Sequence, residues 1–340
     1  MVNGCNNDYE RYWKSFSNKH ICITGSTGLI GSHIVLRIIE FNRKCNMNCT
    51  LHLPVRNKKK AIKLFGLDDR INYYEWDLEK EFPALNSHIH YVIHAASPTS
   101  SLQFEHEPVE TILQIIKGIN SVLAACLNVI EPEKIIFLST MEIYGELSGQ
   151  ISENIFGSLD SMIARNSYPE AKKLSECLCA SYFTEYNLPI CVVRLAQSFG
   201  AGVQIDDKRV FAEFGRAVIN KNDIIIYSDG TTRNSYISLH DASNAIAVIL
   251  AKGQPGLAYN AANESTYITI NDFAAAVVHD FGWSGMQVKH ACNPARSRTF
   301  RKSKDLNLDT NRLKNLGWRP SDSLMDMFTA MIDDWNQKEF

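Results

Sequence analysis

The sequence has no excess of either charge and no run of about 20 apolar residues, the length that crosses a bilayer. Its 35 Lys and Arg residues nearly balance its 37 Asp and Glu residues, so neither nucleic acid nor an anionic membrane is expected as the main partner. We expect no membrane-spanning segment. Residues 1–18 lack the apolar centre of a signal peptide, and this predicts a cytoplasmic protein.

The cysteines do not form a zinc-binding pattern. There are nine, scattered along the chain, and no histidine or further cysteine completes a site around the close pairs Cys45/Cys49 and Cys177/Cys179. An odd number of dispersed thiols is typical of a protein in a reducing compartment. No bound metal is expected.

The sequence does contain an alternation of apolar strands and amphipathic helices. Strands are predicted at 21–23, 50–55, 71–76, 90–94, 134–138 and 189–195, with long helices at 108–128 and 168–186. This order predicts an α/β fold, a doubly wound parallel sheet of the Rossmann type with a smaller mixed α/β lobe towards the C-terminus. The expected units are a lead-in (1–18), a dinucleotide-binding domain (19–195, to which 236–262 returns) and a substrate-binding lobe (196–235 and 263–340).

The first strand leads into a glycine-rich turn that carries Gly25, Gly28 and Gly31, followed by a helix. Such a turn suits a dinucleotide, because the first glycine permits the tight turn and the second lets a pyrophosphate approach the backbone. The third lets the helix pack closely on the strand. The pyrophosphate then lies at a helix N-terminus, where free N–H groups favour negative charge. An ordinary glycine-rich connection between a strand and a helix is the alternative.

The second strand is not followed by the acidic residue that often binds the adenosine ribose in such folds. Arg56 stands there instead, ahead of Asn57 and three lysines. An arginine at this place could meet a 2′-phosphate, which leaves both NAD and NADP open as the cofactor. Alternatively, Arg56 is a solvated side chain at the end of a strand.

Tyr168 and Lys172 are four residues apart at the start of a predicted helix, so their side chains project from one face. A phenol with a pKa of ~10 is a poor base at neutral pH. A neighbouring ammonium favours the phenolate and lowers its pKa, and the charge of an oxidised nicotinamide would act in the same direction. The alternative is a half-buried aromatic residue beside a solvated lysine. The motif order favours catalysis: glycine turn, Asp-Leu, His-Ala-Ala-Ser, strand-Ser-Thr and then Tyr-x-x-x-Lys.

From about Lys19 to Trp335 the chain resembles the extended short-chain dehydrogenases/reductases, and among them the NAD-dependent sugar-nucleotide epimerases and dehydratases. The resemblance is closest to the UDP-glucuronate decarboxylase-like branch. The stretches that carry it are His94-Ala-Ala-Ser-Pro98, Ser139-Thr-Met-Glu-Ile-Tyr-Gly145, Tyr168-Pro-Glu-Ala-Lys172, Asp207-Lys-Arg-Val-Phe211 and Gly317-Trp-Arg-Pro320.

The resemblance implies a role for each matching residue. Tyr168 would take the proton from a sugar hydroxyl, Lys172 would bond the nicotinamide ribose, and Thr140 would hydrogen-bond the reacting oxygen. The glycines would hold the pyrophosphate, and Asp77 and Leu78 would contact the adenine. The implied cofactor-binding residues are Gly25, Thr27, Gly28, Leu29, Ile30, Gly31, Arg56, Asp77, Leu78, Ala95, Ala96, Ser97, Tyr168 and Lys172.

Glu142 is the implied catalytic residue that bears on the type of reaction. By resemblance, decarboxylases and some dehydratases have a carboxylate here, whereas simple 4-epimerases usually lack one. A carboxyl group near C5 and C6 of a 4-keto sugar can shuttle a proton. Dehydratases of the dTDP-glucose type have an Asp just before it, and the corresponding Met141 cannot protonate a leaving hydroxyl. A surface carboxylate on a loop is the alternative for Glu142.

The substrate-binding residues depart from the pattern of this branch. The arginine that usually meets the substrate's phosphate or carboxylate aligns with Asn234. Arg233 stands one residue early, and strand alternation points it away unless a bulge intervenes. The implied substrate-binding residues are Gln197, Arg209, Val210, Arg233, Asn234 and Arg298, the last in a basic stretch suited to clamping a diphosphate.

Three functions are open from the sequence. The favoured one is an enzyme that oxidises a nucleotide-activated sugar at C4, transforms the keto intermediate and reduces it back with bound NAD, in the synthesis of surface polysaccharide or glycoconjugate precursors. The second is a net NAD(P)H-dependent keto-sugar reductase or dehydrogenase. The third is a catalytically idle cofactor-binding protein on the same fold. By resemblance, the helices at 108–128 and 168–186 pair across a two-fold axis, and a homodimer is expected.

Overall fold

The computed structural model describes residues 9–85, 87–291 and 305–338. Its strands are β1 (His20–Thr24), β2 (Thr50–Val55), β3 (Ile71–Glu75), β4 (Tyr91–His94), β5 (Lys134–Thr140), β6 (Ser148–Ile151), β7 (Ile190–Leu195), β8 (Gln197–Phe199), β9 (Ile224–Ile226), β10 (Arg233–Ser238), β11 (Ala258–Ala261), β12 (Asn263–Thr269), β13 (Val288–His290) and β14 (Asp305–Leu308). Seven of them form a parallel sheet in the order β11-β7-β5-β4-β1-β2-β3. The chain order reverses between β1 and β4, and ligands of such sheets bind beyond the carboxyl ends of the strands at the reversal.

The helices of both lobes are α1 (Glu10–Lys14), α2 (Leu29–Cys45), α3 (Lys58–Phe65), α4 (Ser101–His106), α5 (Pro108–Ala125), α6 (Ser167–Tyr186), α7 (Val210–Ile219), α8 (Leu239–Lys252), α9 (Ile270–Phe281), α10 (Asn311–Asn315) and α11 (Leu324–Lys338). Helices cover both faces of the parallel sheet. Helices α2 and α8 pack on one face, and α5 and α6 on the other. The predicted doubly wound Rossmann architecture is confirmed.

The central strands contribute alternate residues to the two faces of the sheet. In β1, Ile21 and Ile23 pack with α2 and α8, whereas Cys22 packs with α5 and α6, and all three are fully buried. In β5, Ile136 packs on the face with α2 and α8, and Phe137 packs on the face with α5 and α6. Successive side chains of a strand point to opposite faces, so a strand that is covered on both sides is apolar throughout.

The described part of the N-terminal segment packs into the main core. Tyr9, Tyr12, Trp13 and Phe16 are all buried in the cluster that includes α2 and α8. The indole Nε1 of Trp13 donates a 2.9 Å hydrogen bond to Oδ1 of Asn244 on α8. From Tyr9 onward this segment therefore belongs to the body of the fold that carries the parallel sheet.

A second sheet lies on the C-terminal side of the first. Its strands run in the order β12-β10-β14-β6, with β8 paired to β10, and α7, α9 and α11 pack around a separate apolar cluster. The stretch after β10 returns to the first sheet through α8 and β11. Strand β6 lies within 19–195, yet it pairs in parallel with β14 in the second sheet rather than with the first sheet.

Helix α5 is extended by a π-helical turn, and the segment Pro108–Ile130 is long and apolar enough, by length and composition alone, to cross a membrane. Its charged residues are Glu110 and Lys117. About a third of its most apolar window, 33%, is buried within the protein. A core helix passes the same test, so a single helix of this kind is weak support for a membrane span.

Candidate active site

The glycine turn between β1 and α2 has a backbone that side chains would disrupt. Gly25 has a φ of +67°, and a Cβ there would lie 2.5 Å from the backbone nitrogen of Ala96 after β4. A Cβ on Gly31 would collide with the carbonyl oxygen of Gly25. Gly28 caps α2 without a side-chain hydrogen bond, and the first turn of α2 has no acidic residue. The turn thus offers a helix N-terminus to which a diphosphate can come close, which fits a dinucleotide.

A cavity of about 1030 Å³ opens at this turn and extends across the carboxyl ends of the strands into the second lobe. Its walls include most of the predicted cofactor-binding residues, namely Gly25, Thr27, Gly28, Leu29, Ile30, Gly31, Arg56, Leu78, Ala95, Ala96, Ser97, Tyr168 and Lys172. Asp77 is not among them, although its neighbours Trp76 and Leu78 are. The carboxylate of Asp77 instead accepts a 3.2 Å hydrogen bond from the backbone N–H of Glu79, as in a local turn.

Thr140, Tyr168 and Lys172 converge on this cavity from β5 and α6. Thr140 ends β5, and its Oγ1 accepts a 3.2 Å hydrogen bond from the backbone N–H of Glu142. The ring of Tyr168 stacks on Phe104, with 4.4 Å between the ring centroids. The Nζ of Lys172 is buried and donates a 2.9 Å hydrogen bond to the carbonyl oxygen of Leu138 in β5.

The electrostatics of Tyr168 differ from the expectation drawn from the sequence. Burial raises the pKa of the phenol well above its ordinary value, the carboxylate of Glu142 raises it further, and a hydrogen bond with Thr140 acts in the opposite direction. Lys172 does not offset the burial, because its Nζ is 5.9 Å from the centroid of the Tyr168 ring and bonds a backbone carbonyl. Burial also lowers the pKa of Lys172 to about 8. This geometry does not support a lowering of the phenol's pKa by Lys172, and the lowering expected from an oxidised nicotinamide stays a prediction.

Arg165 is a cavity residue that the sequence analysis did not identify. Its Nη1 is 3.9 Å from a carboxylate oxygen of Glu142, and its Nε is 3.8 Å from one of Glu105. The guanidinium also lies 5.2 Å from the centroid of the Phe104 ring, the same ring that stacks on Tyr168. Glu142 thus has a cation close to its partly exposed carboxylate. No periodicity or motif in the sequence indicates these contacts, because α4, the turn after β5 and the turn before α6 meet only in the folded chain.

The second lobe contributes Gln197, Arg209, Val210 and Asn234 to the cavity wall. Arg209 is held by Asp207, with 2.6 Å between Nη2 and Oδ2. The Oε1 atom of Gln197 is buried, with no hydrogen-bond partner among the described residues.

Arg233 does not reach the cavity wall. It is exposed at the start of β10, where its guanidinium lies 5.5 Å from the centroid of the Tyr267 ring. The ladder between β10 and β12 shifts register between Asn234 and Tyr236, but this irregularity lies beyond Arg233. The implied substrate contact of Arg233 is therefore not supported. Arg298 lies outside the described residues.

The sequence analysis also missed polar residues of the second lobe that line the cavity. They are Tyr227, Ser228, Asp229 and Thr232, which lie in the loop between β9 and β10. The pair Asp229-Gly230 is typical of a turn, but a turn signal does not indicate which way a loop faces. Within the described ranges, no group of three His, Cys, Asp or Glu side chains is arranged to hold a metal ion.

Comparison with known proteins agrees with this architecture. The family model described as "NAD dependent epimerase/dehydratase family" matches residues 21–262. UDP-glucuronic acid decarboxylase 6 of Arabidopsis thaliana is 24% identical over 321 residues, which cover 94% of this chain and 89% of that protein. The solved UDP-glucose 4-epimerase of Thermotoga maritima superposes with a TM-score of 0.78 at 21% identity, covering 94% of this chain and 100% of that one. The dTDP-glucose 4,6-dehydratase DesIV of Streptomyces venezuelae, solved with NAD bound, gives 0.75 at 18% identity, covering 94% and 98%.

A Rossmann sheet with a glycine turn, and a tyrosine, a lysine and a threonine facing one cavity, define a dinucleotide-dependent enzyme. The family match covers well over half of the chain. The chain belongs to the NAD-dependent epimerase/dehydratase family, whose cofactor is NAD and whose members act on nucleotide sugars.

Proposed function

We propose that this enzyme oxidises a nucleotide-activated sugar at C4, transforms the keto sugar and reduces it again within one active site. The observation that carries the proposal is the convergence of Thr140, Tyr168 and Lys172 on the cavity that begins at the glycine turn. When bound, the dinucleotide accepts and returns a hydride. The residues of the chain must therefore orient the sugar and move protons, and this group is equipped for both tasks.

Each residue of the proposed site has a task that follows from its chemistry. The phenol of Tyr168 takes the proton of the sugar hydroxyl, and the hydroxyl of Thr140 holds the reacting oxygen in reach of it. Lys172, fixed by the carbonyl of Leu138, presents its remaining N–H groups to the nicotinamide ribose. Burial raises the pKa of Tyr168, and the positive charge of an oxidised nicotinamide beside the phenol would lower it again and favour its action as a base.

Glu142 is proposed to act on the keto sugar after oxidation. Its carboxylate faces Arg165 at 3.9 Å, an arrangement that holds a charged group in place beside the phenol. Met141 next to it has no proton to give to a leaving hydroxyl, so epimerisation or decarboxylation is favoured over dehydration. The relatives include proteins named as a decarboxylase, a 4-epimerase and a 4,6-dehydratase, and these names span the three outcomes.

We further propose that the enzyme acts in the cytoplasm, in the synthesis of polysaccharide or glycoconjugate precursors.

The test is turnover of a panel of UDP-, GDP-, CDP- and dTDP-sugars, followed by mass spectrometry and NMR. Loss of carbon dioxide, loss of water or an unchanged mass identifies a decarboxylase, a dehydratase or an epimerase. Tyr168→Phe should abolish turnover of the active sugar while dinucleotide binding survives. Turnover that persists in this variant would refute the assigned role of Tyr168. Phe104→Leu, which keeps the phenol but removes its stacking partner, should retain part of the activity.

A net keto-sugar reductase is the second candidate, supported by Arg56 at the end of β2, where no carboxylate follows the strand. Such an enzyme would consume free dinucleotide in proportion to product. A stoichiometric fall in absorbance at 340 nm during turnover would favour it over the internal redox cycle. A protein that binds cofactor but turns over no sugar of either oxidation state would instead fit the idle binding protein.

We also propose a homodimer formed through α5 and α6. These helices pack side by side on one face of the sheet, and apolar side chains on their outer surface are exposed: Val109, Ile112, Leu113 and Leu174. A second copy of the chain would cover them. Sedimentation velocity at micromolar concentration should give a dimer, and Leu113→Glu with Leu174→Glu should give a monomer. A monomeric wild-type protein under these conditions would contradict the proposal.

A further inference from the structure

Arg194 of β7 and Glu176 of α6 form an ion pair, and neither residue lines the cavity. Nη2 and Nε of the guanidinium lie 2.7 and 3.1 Å from Oε2 of the carboxylate. The two side chains are only 7% and 11% exposed, so the pair is nearly buried. Desolvation offsets most of the attraction within a buried ion pair, and stability alone therefore does not explain its presence.

This ion pair is bonded to the segments that carry the candidate catalytic residues. Ser139, the residue before Thr140 at the end of β5, donates a 2.5 Å hydrogen bond from its Oγ to Oε1 of Glu176. Nη1 of Arg194 donates a 2.8 Å hydrogen bond to the hydroxyl of Tyr144, which ends the short helical turn after β5. One carboxylate and one guanidinium thus join β5, the turn that follows it and α6 to β7.

The carboxylate of Glu176 also acts on the charge of Lys172. Glu176 follows Lys172 by four residues on α6, so the two side chains are neighbours on one face of the helix. Burial lowers the pKa of Lys172, whereas Cys179 and Glu176 raise it. Burial raises the pKa of Cys179 and of Tyr168 and lowers that of His94 in β4 to about 3, so these three side chains are neutral near pH 7. Glu176 therefore supplies the negative charge that favours the ammonium.

We propose that Glu176 is a positioning residue of the active site, which fixes the turn of α6 that carries Lys172 against the end of β5 and directs a negative charge at the ammonium of Lys172. Arg194 and Ser139 orient its carboxylate for this task. Because Glu176 does not line the cavity, it acts through Lys172 and not by contact with a ligand. The inference rests on the role proposed above for Lys172, in which the ammonium supplies three donors, one of them to the carbonyl of Leu138.

The first test is an NMR titration of the full-length protein labelled at the Cε carbons of lysine, without added nucleotide or sugar. The signal of Lys172 is assigned by its absence from Lys172→Met. In Glu176→Gln, the pKa of Lys172 should fall by about one pH unit, because the carboxylate no longer favours the ammonium. Glu185 is an exposed carboxylate of the same helix, and Glu185→Gln is the matched control that should leave this pKa unchanged. An unchanged pKa of Lys172 in folded Glu176→Gln would overturn the proposal.

A second variant removes the charge without unpairing Arg194. Glu176→Gln leaves this guanidinium without its counter-ion, and circular dichroism establishes whether the single variant folds. The double variant Glu176→Gln with Arg194→Met removes both charges, a change that is often neutral for stability at a buried ion pair. In the double variant the pKa of Lys172 should again be lower than in the wild type, by less than in the single variant. A wild-type pKa in the double variant would contradict the proposal.

The second test is turnover of the sugar that the panel of nucleotide sugars identifies. The enzyme needs Lys172 as an ammonium, so a lower pKa of Lys172 should move the basic limb of the pH–rate profile to lower pH. In Glu176→Gln this limb should move by about one pH unit and kcat at pH 8 should fall about fivefold, whereas KM for the sugar should stay within about twofold.

The two tests separate this inference from the proposed function. A basic limb that stays in place in a variant whose Lys172 pKa has fallen would overturn the positioning role of Glu176. A wild type that turns over no sugar would instead count against the proposed function, and the NMR titration would still decide whether Glu176 directs its charge at Lys172.

Discussion

Replacing Lys172 by methionine should stabilise the fold while destroying activity. Lys172 is 3% exposed, and burial lowers its pKa from 10.5 to about 8. Holding it as an ammonium at pH 7 therefore costs about 3 kcal/mol, at about 1.4 kcal/mol for each pKa unit. Methionine removes that cost, but it leaves the carbonyl of Leu138 without its donor, a loss of about 1 kcal/mol. The free energy of unfolding should thus rise by about 2 kcal/mol at pH 7.

The difference in the free energy of unfolding between Lys172→Met and the wild type should decrease as the pH rises. The pKa of Lys172 is lower in the folded state than in the unfolded state, so between pH 8 and 10.5 the unfolded chain holds the extra proton. The stability of the wild type should therefore rise with pH across this window, and the free-energy cost of holding the ammonium should fall to about 1 kcal/mol at pH 9.5. Since Lys172→Met also loses the hydrogen bond to the carbonyl of Leu138, its free energy of unfolding at pH 9.5 should be close to that of the wild type.

Urea unfolding of the wild type and Lys172→Met at pH 7.0 and 9.5, without added nucleotide, measures this difference in the free energy of unfolding. Lys173→Met is the matched control, because Lys173 lies on the same helix, is only partly buried and bonds the carbonyl of Gly157 at 3.3 Å. The control should change the stability by no more than about 0.5 kcal/mol at either pH. A Lys172→Met protein that is less stable than the wild type at pH 7, or a gap that is independent of pH, would refute the reasoning.

Three further predictions concern other parts of the molecule. Burial lowers the pKa of His52 to about 4, so this residue alone should take about 2 kcal/mol from the stability of the wild type between pH 7 and 4.5, as the unfolded chain gains its proton. His52→Gln should remove this share of the acid-dependent loss in urea titrations, whereas the exposed His279→Gln should not. Equal acid sensitivity of all three proteins would contradict the prediction. Gly31→Ala should lower the free energy of unfolding by about 1–3 kcal/mol and weaken dinucleotide binding in calorimetry, because its Cβ would collide with the backbone of Gly25. The control Ser32→Ala should change neither quantity. Glu142→Gln should lower the turnover rate about 10²-fold. It should also move the acidic limb of the pH–rate profile to lower pH, because Tyr168 acts as a base and Glu142 raises its pKa. The exposed Glu146→Gln is the control, and an unmoved acidic limb would argue against this coupling.

Most of the parallel sheet was predictable because its strands are buried on both faces. β2 occupies the predicted range Thr50–Val55. Strands of the second sheet were harder to predict. β6 has the sequence Ser-Gly-Gln-Ile, with one buried apolar residue and no alternation, and it becomes a strand only because β14 pairs with it in parallel. A pairing between segments so far apart in the chain leaves no periodic signal in either segment.

The residues of the candidate site also differ in how well the sequence predicted them. Tyr168 and Lys172 were identifiable because the spacing along a helix places them together, whatever packs around them. Arg165 and Arg233 illustrate the opposite case. The sequence suggested a substrate contact for Arg233, which is exposed beside Tyr267. It did not indicate that Arg165 lies 3.9 Å from Glu142 in the cavity wall. Which cation faces a ligand depends on how distant segments pack.

By itself, the sequence determined the Rossmann architecture, the glycine turn and the helical spacing of the tyrosine and the lysine, because each is a local property of backbone geometry and apolar pattern. Only the tertiary structure decided the charge balance within the cavity. It buries the ammonium of Lys172 and the phenol of Tyr168, and it leaves Arg56 and Lys60 exposed in the cavity wall beside β2. The physical reason is that a pKa and the availability of a charge depend on desolvation and on neighbours contributed by remote segments, and these exist only once the chain has folded.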